Sequence, residues 1–552
     1  MSDQKVIASS AVMAVGTAFS RLSGFLRGAL LVAALGTALQ GELFTIANTL
    51  PNMIYILVAG GVFNAVLVPQ LVRSQKSDLD GGDAYANRVI TLAGLFLGAV
   101  TVVLIVVTPL VIRLFLSSEY DDPDHAAHLQ SVIDLTRLCL PQVFFYGMFV
   151  LVGQILNARG KFGPMMWAPI ANNVVAVLML AAYLLLYGRA GEAEQQEAFA
   201  SGQELLLGVG STLGIALQLL ILLPYLKAAG FGYRPRFDFR DAGLTRTLSL
   251  GMWTVLFVVV NQLAYVVVVN LASSGPVRDP SGTGYAVYSM AFLILMVPHS
   301  IVTVSLATAI LPTISAHAAE NRLREMGASV GSTLRTTLSV MLPFAALLGV
   351  LSYDVANVLF GWGKDHQAAR IGPTLTFFAP GLVFFTVHYL MLRGFYALEQ
   401  TRRVFFIQCA ISATNIVLAI VLVHQVSAVR TAPALALAYL GAYAVGSVIS
   451  YTVLSGVLGD LQTPRLVRFL VRMLVVVAVA GLAAWLVKAG VSELLGPRAD
   501  DPHPLVSAGR GGLAGAVGLV VVLVLARALR IREVTSLTHA ATSRLRRRRV
   551  LG

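Results

Sequence analysis

A chain of 552 residues that is 57% hydrophobic and 12% charged, with a mean hydropathy of +0.78, is too apolar for a soluble multidomain enzyme and reads as a polytopic membrane protein. The net charge of +13 excludes little by itself, but the cations are spread over loops and tail, which suits membrane topology and argues against a nucleic-acid partner. Only Cys139 and Cys409 are present, each in an apolar stretch, so a disulfide framework and a cysteine-rich metal site are excluded.

At the N-terminus, Met1 to Lys5 is short, the first apolar run is too long for a signal-peptide core, and no small-x-small site ends it; the first helix is expected to stay in the mature protein. That run, Val6 to Gly36, holds Ser20-Arg21-Leu22-Ser23-Gly24-Phe25-Leu26-Arg27 near its middle. A guanidinium there costs about 3 kcal/mol on insertion scales, and nothing local offsets it. On a helix the two arginines lie roughly 9 Å apart along the axis and about 120° apart around it. Two permanent cations on one broad face make sense if that face lines a wet cavity and meets an anion, because arginine suits bidentate contact with phosphate or carboxylate.

Hydropathy predicts about fourteen spans, near residues 6–36, 41–72, 88–115, 128–157, 165–187, 203–226, 246–272, 283–315, 330–358, 371–398, 403–425, 431–457, 465–488 and 507–530. With the N-terminus in the cytoplasm, the inside loops collect Arg73, Lys76 and Arg88; Arg159 and Lys161; Lys227, Arg234, Arg236, Arg240 and Arg246; Arg322 and Arg324; Arg402 and Arg403; and Arg465, Arg468 and Arg472. Arg544 and Arg546 to Arg549 join them in the tail and are expected to hold anionic headgroups. The outside loops hold fewer, such as Arg189, Arg278, Lys364 and Arg430, and one carries Glu119, Asp121, Asp122 and Asp124. That is the positive-inside bias, with both termini cytoplasmic.

A faint repeat supports the division. Pro141 to Ala158 and Pro380 to Ala397 match at the proline, at Phe145 and Phe384, at Leu151 and Leu390 and at the final alanine, and Val66 to Val72 matches Ala309 to Ser315. Both pairs are six spans apart, so the repeat is parallel. The expected fold is therefore all-α, with two pseudo-symmetric six-helix lobes (1–227 and 228–460), two further spans (461–531) and a basic tail (532–552).

Prolines at 51, 69, 141, 169, 298, 312, 343 and 380 predict kinks or hinges. Gly208, Gly210 and Gly214 lie in an apolar span and read as helix packing rather than a nucleotide loop. No Walker A sequence, zinc-type HExxH or GxSxG elbow appears, so the chain is expected to be a transporter rather than an enzyme, with no metal and no cofactor. Asp134 and Arg137 are spaced as partners on one helix face, His299 and His388 read as satisfied polar groups, and Asn172, Asn173, Asn261 and Gln262 face a cavity or bond across helices.

Several stretches resemble the MurJ/MviN family of bacterial lipid II flippases, within a superfamily that also holds multidrug and polysaccharide exporters. They are SRLSGFLR (Ser20 to Arg27), LPN (Leu50 to Asn52), ILNARGKFGPMMWAPIANN (Ile155 to Asn173), LPTIS (Leu311 to Ser315) and RGFYALEQT (Arg393 to Thr401). The resemblance implies alternating access around a cationic cavity that takes the headgroup of lipid II, a polyprenyl-pyrophosphate-linked glycopeptide, in the bacterial plasma membrane. Membrane lipids and proteins of cell-wall synthesis are the other partners it implies. Carried over by residue, it puts Arg21, Arg27, Glu42, Asn52, Asn173 and Arg393 at the substrate. Where the family has an aspartate after the second arginine this chain has Gly28, an arginine pair that follows LPN in some members is Tyr55 and Ile56, and the eighth-helix arginine is replaced near Leu293. A flippase for another polyprenyl-linked glycan, a cation-coupled drug exporter and a non-transporting scaffold are the alternatives.

Overall fold

The computed structural model describes residues 3–60, 82–238, 244–362, 367–496 and 502–536, and every regular element among them is helical. Twelve helices or closely joined helix pairs among the described residues are long and apolar enough to cross a bilayer. Ahead of them lie α1 (Asp3–Leu35) and α2 (Leu39–Tyr55), where the first two expected spans begin. Val66 to Val72, Pro69, the loop cations Arg73, Lys76, Arg240 and Lys364, and the tail arginines Arg544 and Arg546 to Arg549 lie outside the described residues. Leucines and valines such as Val102, Val106, Leu110, Leu178 and Leu185 stand exposed along the flanks while Glu42, Asp354 and Arg510 are buried. That inversion is what a hydrocarbon solvent selects, since polar groups must find partners inside.

The chain divides into two compact units, Met1–Ala286 and Val287–Gly552. In the first, α2 passes into a π-helical turn (Ile56–Gly60), and after it come α3 (Asp83–Val106), α4 (Thr108–Phe115), α5 (Ala126–Cys139), α6 (Gln142–Ala158), α7 (Gly163–Leu186), α8 (Ser201–Leu220), α9 (Leu222–Ala228) and α10 (Leu244–Arg278). The break between α3 and α4 has a local cause. Pro109 sits in the first turn of α4 and cannot donate into the ladder, and the Thr108 hydroxyl bonds the carbonyls of Leu104 and Ile105, each at 2.9 Å.

The glycines of α8 bear out their reading as a packing face. A Cβ on Gly208 would meet Leu138 at 2.5 Å, one on Gly210 would meet Met179 at 2.6 Å, and one on Gly214 would meet the Asn172 carboxamide at 2.4 Å. Asp134 and Arg137 pair across one turn at 3.1 Å, as their spacing predicts.

The C-terminal half of α10 is tied to the loop after α4. Asn270 donates to the Leu116 carbonyl at 2.6 Å, the Ser117 amide donates to Ser273 Oγ at 2.8 Å, and Arg278 Nε donates to Glu119 at 2.7 Å. Partial burial pushes the Glu119 carboxyl up, but the nearby Ser117 hydroxyl and the Arg278 guanidinium that donates to the carboxylate outweigh this and leave the group below the usual carboxylate range. These ties place α10 in the first unit, which runs on to Ala286.

The second unit takes up α11 (Tyr285–Pro298) from Val287 and continues through a π-helical turn (His299–Thr303), α12 (Val304–Ala319), α13 (Leu323–Val350), α14 (Ser352–Phe360), α15 (Gln367–Ala397), α16 (Thr401–Gln425), α17 (Thr431–Leu458), α18 (Thr463–Leu495) and α19 (Pro504–Ala528). The order repeats that of the first unit: a long helix, a one-residue break at Val107 or Leu351, and a short helix. The two matched stretches then end their helices at Ala158 and Ala397, and a close helical pair follows each. The π-helical turns fall in the same register. The offset of 243 residues that separates Ile56 from His299 also separates Val66 from Ala309, the two ends of the weaker sequence match.

Within the second unit, a buried carboxylate ties the last two helices to α14. Asp354 on α14 is 1% exposed and accepts from Arg510 of α19 at 2.6 and 2.8 Å while pairing with Lys488 of α18 at 2.9 Å. Nearby, Asn357 donates to the Pro502 carbonyl at 2.7 Å and to Ser507 Oγ at 2.8 Å. Removing one member of such a cluster strands the other charges in a low-dielectric site. Asp354→Ala is therefore expected to destabilise the attachment of α18 and α19 by about 3–5 kcal/mol, seen as a lower melting temperature of the purified protein and as new protease cleavage between residues 496 and 504. Unchanged melting and cleavage would contradict it.

Candidate functional site

The side chains of the Ser20 to Arg27 stretch divide between packing and charge. Asn173 on α7 donates to the Ser20 carbonyl at 3.0 Å and to Ser23 Oγ at 2.8 Å, and Ser23 Oγ itself donates to the Ser20 carbonyl at 3.0 Å. A Cβ on Gly24 would stand 3.9 Å from the carboxamide nitrogen, an ordinary contact, so the hydrogen bonds rather than the glycine hold Asn173 here. Ser20 and Ser23 thus dock α1 on α7, and the arginines are carried on the same helix.

Arg27 is half-buried, within electrostatic reach of Tyr146 on α6 and Cys139 on α5, while Arg21 is exposed. Neither has a hydrogen-bond or ion-pair partner among the described residues. Tyr146 stacks on Tyr55 of α2 with ring centroids 5.9 Å apart, which gives the ground beside Arg27 an aromatic wall. On α2, Asn52 is half-buried one turn before Tyr55, and its side chain has no hydrogen-bond partner among the described residues. Asn48 accepts from Gln142 at 3.2 Å and the Met53 carbonyl accepts from Gln262 at 2.8 Å, so this part of α2 is held by amide contacts from α6 and α10.

Two residues expected at the substrate bond other parts of the chain. Glu42 is 0% exposed, and its two oxygens accept the backbone amides of Tyr285 (2.6 Å) and Ala286 (2.7 Å), which open α11. It caps a helix N-terminus, where a negative charge is favoured, and it is fully buried there. A Cβ on Gly284 would stand 2.6 Å from its Oε1. Asn173 likewise directs both of its hydrogen bonds among the described residues to α1.

In the second unit, Arg393 donates to the Tyr389 hydroxyl and lies over the Tyr389 ring at 4.6 Å, and its buried Nε has no partner among the described residues. His299, in the π-helical turn, packs on Phe385 at 4.6 Å and on Tyr389 at 4.9 Å. Phe385, Tyr389 and Arg393 are spaced four apart, which puts them on one face of α15. The expectation that His299 and His388 are satisfied polar groups fails: Nδ1 of each is buried with no partner among the described residues, His299 lying against Phe385 and Tyr389 and His388 near Tyr443. Tyr146 and Tyr389 were missed in the sequence, where an aromatic residue in an apolar span looks like any other packing residue; only the i, i+4, i+8 run ending in Arg393 could have signalled one of them.

The first unit carries Arg21, Arg27 and Asn173, with Asn173 bonded to the helix of both arginines, and Arg393 belongs to the second unit. A cation with no carboxylate beside a tyrosine wall can bind an anion bidentately without first breaking an ion pair.

The sequence profile of the family described as lipid II flippase MurJ matches residues 31–497. A probable lipid II flippase MurJ of Haemophilus influenzae is 27% identical over 406 residues, covering 70% of this chain and 75% of its own length. The lipid II flippase MurJ of Burkholderia cenocepacia is 25% identical over 396 residues, with 70% and 72% covered. Among solved structures, a lipid II flippase MurJ in an inward closed conformation is similar with a TM-score of 0.69 at 18% identity, over 94% of this chain and 99% of that one. An inward-facing multidrug resistance transporter of the MATE family shares the fold at a TM-score of 0.63 and 14% identity, over 80% of this chain and 96% of that one.

Asn173→Ala removes both bonds to α1 and is expected to cost about 1–3 kcal/mol, whereas Ser23→Ala leaves the bond to the Ser20 carbonyl and costs about half as much. Amide hydrogen exchange across residues 19–27 checks this: faster exchange in Asn173→Ala than in Ser23→Ala is expected, and equal rates in both variants and the parent would refute the docking role.

Proposed function

This chain belongs to the lipid II flippase MurJ family, and from that premise we propose that it moves lipid II from the inner to the outer leaflet of the bacterial plasma membrane by alternating access. The observation that carries the reading is Arg27, a half-buried guanidinium in a membrane helix with no neutralising partner among the described residues. The lipid II pyrophosphate supplies the missing anion, and arginine meets it with paired hydrogen bonds. Arg21 and Asn52 in the first unit and Arg393 in the second are further headgroup contacts, while Glu42 and Asn173 position the helices that carry them.

The polyprenyl tail stays in lipid throughout. Each unit can flex at its π-helical turn, Ile56–Gly60 or His299–Thr303, where the i to i+5 ladder already departs from the regular helix. A dianionic headgroup moving outward across a membrane negative inside gains roughly 4–5 kcal/mol per 100 mV if it crosses the full field, and arginines that travelled with it would cancel that gain. The loop charges support an orientation with both termini in the cytoplasm. Lipids of the bilayer and proteins of cell-wall synthesis are the remaining partners of this reading.

The test is complementation of cells depleted of their own lipid II flippase, with lipid II accessibility measured at the outer face. The parent chain is expected to restore it, and Arg27→Ala to lower it about 10- to 100-fold at equal membrane abundance, the loss of a charge-assisted contact. Arg27→Lys, which keeps the charge but not the fork, should fall between them. Parental accessibility with Arg27→Ala would remove Arg27 from the mechanism, and failure of the parent chain would refute lipid II as substrate.

A further inference from the structure

In the second unit, a cavity of about 500 Å³ lies where the start of α18 meets α13 and the turn that follows α19. Six arginines line it: Arg335, Arg465, Arg468, Arg472, Arg530 and Arg532. The one carboxylate in its wall, Glu533, is already engaged, accepting from Arg335 Nε at 3.1 Å. Arg335 also donates to Gln462 at 3.0 Å, and although it is only 8% exposed its Nη1 is buried with no partner among the described residues. The other five arginines have no ion-pair partner among the described residues. Asp460, at the preceding turn, is spent on the amide and hydroxyl of Thr463 at 3.0 and 3.1 Å. The sequence from 537 to 552 contains no aspartate or glutamate that could neutralise the site from within the chain.

Five uncompensated guanidiniums around one cavity repel each other and call for a phosphate-bearing anion. The surroundings indicate which kind. Phe469 and Ile531 give the cavity apolar patches, and the same helix that presents Arg465, Arg468 and Arg472 continues with Val467, Val471, Leu474 and Val475 more than half exposed. A charged niche opening onto an exposed apolar stripe matches a molecule with a phosphate head and hydrocarbon chains. We propose that this cavity is a binding site for the headgroup of an anionic phospholipid, with the acyl chains lying along α18. The site is separate from Arg21, Arg27 and Arg393, and it does not depend on lipid II being the transported substrate.

The test uses the purified full-length protein in a neutral detergent, with bound lipid counted by native mass spectrometry during titration with phosphatidylglycerol or phosphatidylcholine. Wild type is expected to retain phosphatidylglycerol in clear preference to phosphatidylcholine, and the double variant Arg465→Gln/Arg468→Gln to bind it about 10- to 30-fold more weakly, two surface cations having been lost. Both residues are exposed, and Arg530→Gln, beyond the end of α19, provides a second variant should the double one fold poorly; it is expected to weaken binding about fivefold. Undiminished phosphatidylglycerol binding in the variants would overturn the proposal. So would displacement of the lipid by inorganic pyrophosphate at equal concentration, which would identify the ligand as a soluble phosphate.

Discussion

A guanidinium cannot lose its proton at any pH a cell experiences, so Arg27 has to be solvated by something. Water, a carboxylate or a bound anion are the choices, and the described residues provide no carboxylate. Much of the local construction serves that one charge. Ser20 and Ser23 present a face that Asn173 can grip, Tyr55 and Tyr146 stack beside the cation, and Gln142 and Gln262 hold the part of α2 that carries the stack. A binding cation held by its own salt bridge would have to surrender it to each substrate molecule.

Elsewhere the chain treats buried charge in the opposite way. Asp354 is matched by Arg510 and Lys488, and Glu42 by two backbone amides, so that each carboxylate is spent inside the protein. In a membrane protein the hydrophobic effect contributes little to helix association, and satisfied polar clusters together with close glycine contacts carry more of it. Asp354 joins α14, α18 and α19 in this manner, and the glycines of α8 do the same work by letting Leu138, Met179 and Asn172 approach. Arg510 is compensated by a buried carboxylate, whereas Arg27 and the arginines lining the cavity beside Arg335 have no ion-pair partner among the described residues, and that difference is what the two proposals rest on.

Repetition adds a second constraint. The long helix, break and short helix recur in each unit, and the π-helical turns at Ile56–Gly60 and His299–Thr303 stand at the same offset as a weak sequence match a few residues further on. The kinking prolines themselves are not equivalent, for Pro51 precedes one turn by five residues and Pro298 adjoins the other. A shared irregularity reached through different residues points to the backbone geometry, rather than the proline, as what the fold requires at that place.

Hydropathy and spacing by themselves determined the helical class, the approximate number of spans, the pairing of Asp134 with Arg137, the packing role of the α8 glycines and the two arginines of the first span. All of these are local, since a run of apolar residues or an i, i+3 pair has the same meaning whatever the rest of the chain does. The tertiary structure decided the rest. Whether Glu42 faces a ligand or caps α11 depends on residues more than 240 positions away, and the partners of Asp354 arrive from helices more than 130 positions later. The cluster around Arg335 likewise gathers three separate segments whose arginines, read singly, are ordinary loop cations. A charged side chain carries no local mark of its partner, because the Coulomb and hydrogen-bond energies that assign it are set only once distant helices have packed.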